Sequence, residues 1–210
     1  MSEIIRPGQG LLYMKVGTHA QEPIEEIFER KSKEIRDAGV AFWGYGGGTC
    51  HPETMVQPFA KNYERRGEII YLCMERMDSR HFAEQIPADE YSVDGAKWEQ
   101  VPPGIRVLGS RYALVVRNLR KAEFDLPLAR TKVALGNSMG ALGTRYIRGR
   151  VDKACLEITE PRSGLPPEDD KLVRIGLVAD LVSPYAVYVR NNAKTKRDVA
   201  SEEVGTSVEK

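Results

Sequence analysis

The chain has 210 residues, 41% of them hydrophobic, enough for one globular domain with a genuine core. Lysine and arginine number 31 against 30 aspartates and glutamates, so the net charge is only +1. That balance excludes a globally basic nucleic-acid binder but leaves room for a local basic patch. Three scattered cysteines, Cys50, Cys73 and Cys155, form neither a disulfide framework nor a CxxC zinc pattern.

No apolar run approaches the roughly 18 residues of a membrane span. The start, MSEIIRPGQG, lacks the ordered regions of a signal peptide. A cytoplasmic protein is expected, with no metal and no cofactor.

In chain order, GLLYMKVG (10–17) is a short apolar run between glycines and reads as a strand. A helix follows. Pro23 suits its first turn, Glu22, Glu25 and Glu26 suit its positive end, and Ile24, Ile27, Phe28 and Ile35 share a face. Gly39 ends it. VAFWGY is a strand. PETMVQPFAKNYERRG reads as a short helix broken near Pro58 and closed at Gly67. EIIYLCMERM is a buried strand, residues 79 to 104 an excursion with room for one short helix, and RYALVVRNL another strand.

FDLPLARTKVALGNSMGALGT is punctuated by glycine and proline and fits no single element. RYIRGRVDKACLEI reads as extended, with Tyr146, Arg148 and Arg150 on one parity and Ala154, Leu156 and Ile158 continuing it. PPEDDKLVRIGLVADLV spaces Leu172, Ile175, Val178, Ala179 and Val182 as a helix would, although Gly176 weakens it. YAVYVR is a last strand. Residues 191–210 hold too little apolar surface to order themselves, so a domain over 1–190 with a charged tail is expected. The fold class is α+β, a mixed sheet or small pseudobarrel with one or two packed helices.

Two stretches carry candidate chemistry. In the first, Gly44, Gly46, Gly47 and Gly48 follow a strand and precede a helix, so their N–H groups suit an anion. The spacing matches neither GxGxxG nor a Walker loop, and plain turning of the chain explains the glycines as well. Trp43 and Tyr45 share one strand face, either as a stacking wall for a flat ligand or as core. Cys50 and His51 are candidates for nucleophile and general base, but adjacent side chains diverge, so the cysteine would need His19 or His81 as its base.

In the second stretch, Arg148 and Arg150 offer guanidinium forks for phosphate, Tyr146 offers a ring, and Arg145 and Lys153 add charge. A solvated edge strand is the plainer alternative.

The order of LLYMKVG, the helix to Gly39, AFWGYGG, IIYLCMERM and YALVVRNLRKAEFDLPL resembles PUA-like domains of the EVE and ASCH kind, over roughly residues 10 to 160. The resemblance is one of element order, without a shared signature. It implies a pseudobarrel that holds a nucleotide or modified base in an aromatic pocket. The leading expectation is therefore a module for a nucleotide or nucleic acid. Trp43 and Tyr45 would stack, Gly46, Gly47 and Gly48 would give main-chain contacts, and Tyr146, Arg148, Arg150 and Lys153 would meet phosphate. The alternatives are a Cys50/His51 enzyme acting on a nucleotide-like substrate and a protein-binding inhibitor or adaptor.

Overall fold

The computed structural model describes residues 3–17, 22–46, 51–77, 87–108, 110–148 and 151–191. Its elements are β1 (Gly10–Gly17), α1 (Ile24–Ala38), β2 (Ala41–Gly44), α2 (Glu53–Glu64), β3 (Tyr71–Met77), β4 (Glu90–Ser92), β5 (Glu99–Gln100), β6 (Tyr112–Pro127), β7 (Thr131–Val133), α3 (Gly143–Tyr146), β8 (Lys153–Ile158) and β9 (Leu172–Arg190). Among the described residues they form one mixed sheet in the order β2-β6-β9-β3-β1-β8-β7, with β4 and β5 attached beside β9. The architecture is α+β. No helix among the described residues is long and apolar enough to cross a membrane.

The one parallel pair is β1 with β3; every other neighbour is antiparallel. A parallel return needs a long crossover, and α1, β2 and α2 supply it. α1 ends where Gly39 takes φ 80° and gives its N–H to Ile35 O at 2.9 Å. Only a residue free of the Cβ penalty adopts that conformation easily.

The sheet is strongly curled. β2 and β1 lie four places apart in the ladder, yet the Tyr45 hydroxyl just after β2 donates to Tyr13 O on β1 at 3.3 Å. The inside of the curl is the main core, where Leu12, Met14, Trp43, Leu72, Met74, Leu114 and Ala179 meet α1 and α2. The outer face carries two smaller cores. One gathers Leu11, Tyr13, Leu126, Leu156 and Ile175; the other gathers Phe42, Val107, Val115 and Val187.

Several expectations are corrected. Leu172 to Val182 is strand, the first half of β9, and YAVYVR is its second half. Val173, Ile175, Val178 and Val182 are β-branched and favour the pleated sheet, and the helix-like spacing arises from register shifts. α2 runs through Pro58, whose missing N–H removes only the bond to the Thr54 carbonyl. Within the excursion, residues 87–104 contain β4 and β5 and no helix; 78–86 lie outside the described residues. The tail from residue 192 also lies outside them.

Candidate functional site

Trp43 and Tyr45 share one side of the chain, as their parity requires, with Phe42 opposite. That side is the main core: Trp43 is 4% exposed and Tyr45 fully buried. The Trp43 indole lines only a small pocket of ≈ 100 Å³ with Val16, Ile27, Arg30 and Arg106. That is below the range of about 300–1,000 Å³ typical of ligand pockets. Two of the neighbouring cations, Arg30 and Lys31, are already used, the first by Glu22 and Glu34. Lys31, buried on α1, donates to both Glu34 carboxylate oxygens (2.8 and 3.1 Å), to Phe42 O (2.6 Å) and to Arg106 O (2.5 Å). Desolvation pulls its ammonium down to about 8, against the pull of Glu34.

Gly46 gives no open main-chain contact. Its N–H and that of Tyr45 both donate to Tyr112 O at 3.0 Å. Gly47, Gly48 and Cys50 lie outside the described residues, as do His19 and His81.

His51 is held from three sides. The Tyr112 hydroxyl of β6 donates to its backbone carbonyl at 2.6 Å. Its Nε2 lies 2.9 Å from Leu135 O. A carbonyl only accepts, so Nε2 carries the proton and Nδ1 is left with its lone pair. Its third neighbour is Tyr146 of α3, stacked parallel at 6.3 Å between centroids with 18° between planes. Gly136 lets the ring come close. It has φ 72°, and a Cβ there would stand 3.2 Å from the imidazole.

His51 is 8% exposed, and its buried Nδ1 has no hydrogen-bond partner among the described residues. Burial lowers its pKa, so the ring is neutral at pH 7. Buried polar atoms almost always find partners, so this acceptor calls for a donor that the described residues do not supply.

The second stretch is extended only in its later part. Residues 143–146 form the single helical turn α3, and β8 starts only at Lys153. The reason lies in a residue distant in sequence. Asp169, with its carboxylate buried, accepts from Arg145 Nε (3.0 Å) and Nη2 (2.6 Å) on one oxygen, and from Arg148 Nη2 (3.2 Å) on the other. Its backbone carbonyl takes the Thr144 hydroxyl at 2.8 Å. Arg145 and Arg148 are three residues apart, a spacing that meets one partner from a helical turn but not from a strand. The Arg145 bond lowers the Asp169 pKa and raises that of Arg145.

One carboxylate thus holds two guanidinium groups whose side chains remain 62% and 58% exposed, and the charge of neighbouring Glu168 also acts on Arg145. Tyr146 of the same turn meets His51. Lys153, on β8, pairs with Asp152 at 3.3 Å and does not join this cluster in any described contact. Arg150 lies outside the described residues. Asp169 and Tyr112 were not read as site residues from sequence; the acidic PPEDD run was the available signal for Asp169.

Comparison with protein-family models, curated proteins and solved structures finds no match to the chain. Among the described residues no group of three or more His, Cys, Asp or Glu side chains is placed to hold a metal ion.

Proposed function

We propose that the protein binds a nucleotide or the backbone of a nucleic acid at the α3 turn, with the base beside His51 and Tyr146 and phosphate on Arg145 and Arg148. The observation that carries this reading is the His51 ring: buried, neutral, stacked on Tyr146, and with an acceptor lone pair unmatched among the described residues. Every natural base offers an N–H donor and a flat face. Two guanidinium groups fixed by one carboxylate are ordered before the ligand arrives, which lowers the entropy lost on binding phosphate. The location differs from the first expectation, because Trp43 and Tyr45 are packed into the core.

The test compares a nucleoside with its 5′-monophosphate by calorimetric titration at several salt concentrations. Arg148→Lys keeps the charge but loses the fork. It should weaken the monophosphate more than the nucleoside and leave the fold intact. Equal losses for both ligands would remove Arg148 from the phosphate contact; no binding of either ligand to the unaltered protein would overturn the reading.

The unmatched Nδ1 lone pair also supports a second reading, in which His51 is a general base on such a ligand. Turnover that disappears in His51→Phe while binding persists would select it.

A further inference from the structure

A cavity lies away from α3. β6 and β9 pair Leu114 with Ala186 and then Val116 with Leu181, so Val115 alone stands opposite four residues, Val182 to Tyr185. This bulge walls a cavity of ≈ 340 Å³ against α2 and the chain entering β3. Bulges of this kind re-aim side chains and gather beside binding sites. Tyr185 sits in it with φ 71°, a conformation that a bulky side chain rarely takes and that the surroundings must enforce. Its ring is returned to the core, and its hydroxyl bonds Glu64.

The lining has three kinds of surface. Ala60, Ile70 and Leu181 are buried and make an apolar floor. Arg117 of β6 also lines the cavity and has no hydrogen-bond or ion-pair partner among the described residues. The adjacent Asp180 is taken by Arg120 and Asn118. Opposite in sign are two carboxylates. Glu68 is ion-paired with Arg6 and Arg66 at 3.6 and 3.5 Å, although its Oε2 is buried with no hydrogen-bond partner among the described residues, whereas Glu64 meets the Tyr185 hydroxyl and no cation among them. The cavity therefore presents one cation without an anionic partner among the described residues, one carboxylate that meets no cation among them, and an apolar floor.

We propose that this cavity is a binding site for a small zwitterion of amino-acid size. Its carboxylate would meet the Arg117 fork, its ammonium Glu64, and its apolar side chain the floor. The volume lies at the small end of the range of about 300–1,000 Å³ for ligand pockets, which suits a free amino acid better than a nucleotide. A ligand with one charge alone would leave either Arg117 or Glu64 facing it without a partner. Specificity for the doubly charged molecule follows, since each singly charged analogue gives up one charge-assisted bond.

The experiment uses the full chain and three matched probes: L-leucine, isopentylamine, which lacks the carboxylate, and 4-methylpentanoate, which lacks the amine. Thermal stability and calorimetric binding are read for each. L-leucine should raise the melting temperature and bind at least about tenfold more tightly than either analogue, the scale of one lost charge-assisted bond. Arg117→Gln, at an exposed side chain, should fold normally and lose that preference. Glu64→Gln should lose it too; if Glu64→Gln does not fold, Arg117→Gln decides alone. Arg148→Lys should leave leucine binding unchanged. No response to leucine, equal binding of all three probes, or full leucine affinity in Arg117→Gln would each overturn the proposal.

Discussion

Two buried polar centres of this fold differ in one respect. At the start of β2, Lys31 and Glu34 lie under a few per cent exposure with every strong group matched: the ammonium meets Glu34 and two carbonyls, and Glu34 also receives Arg106 N at 3.1 Å and Arg30 Nη1 at 3.2 Å. Near the start of α2, His51 is buried almost as deeply, yet one ring nitrogen is unmatched among the described residues. The first centre ties α1 to β2 and to the 105–107 segment and has nothing left to offer a ligand. The second retains an acceptor beside a stacked ring and two fixed guanidinium groups. A saturated network serves the fold, whereas an unmatched acceptor still has a bond to accept.

The largest expected effect breaks the saturated centre. Lys31→Met leaves Glu34 buried with only Arg30 and the Arg106 amide. Removing one partner of a buried pair typically costs about 3–5 kcal/mol, and the remaining partners put this case near the lower end. Chemical denaturation should show that loss, with nucleotide affinity per folded molecule unchanged. A parallel loss of affinity would show that the two centres are coupled.

Next comes Asp169→Asn. It makes the α3 turn more positive yet removes the carboxylate that orders Arg145 and Arg148. If order matters more than charge, monophosphate binding weakens several-fold, as titration would show. Tighter binding would mean that charge alone attracts phosphate there.

The smallest effect is one of pH. Burial holds the His51 pKa below its ordinary 6.5. The unfolded chain therefore takes up its proton first as pH falls. The stability contributed by the neutral ring is fully present above about 6.5, is lost below it, and levels off beneath the folded value. Lys31, pushed down to about 8, changes stability only above that pH, so the two centres respond in separate windows. In His51→Phe the acid-side loss should shrink, and melting curves across pH 5 to 8 measure it.

The parts legible in sequence were those set by local pattern. α1 follows from Pro23, its apolar face and Gly39, and β3 from its continuous apolar run, because neighbouring residues alone decide them. The parity of Trp43 and Tyr45 was equally clear, but whether that side met a ligand or the core depended on the curl that brings β2 to β1. β9 was misread because its apolar spacing fits a helix when its bulges are unseen. The α3 turn was misread because Asp169, more than 20 residues away, gathers Arg145 and Arg148. The sequence marks His51 as a candidate base, and its described partners, Leu135, Tyr112 and Tyr146, are each brought in by the fold. Long-range pairing of this kind leaves little trace in a single sequence.

The most direct test of the central claim is nitrogen-15 NMR of the His51 ring while a nucleoside monophosphate is titrated into the labelled protein. In the free protein, Nε2 should report a proton and Nδ1 a bare lone pair. On addition of ligand, the Nδ1 resonance should move as it accepts a hydrogen bond, saturating with the affinity measured by calorimetry, while Nε2 stays protonated on Leu135 O. An Nδ1 resonance that does not move while the ligand binds would place the ligand elsewhere and contradict the account.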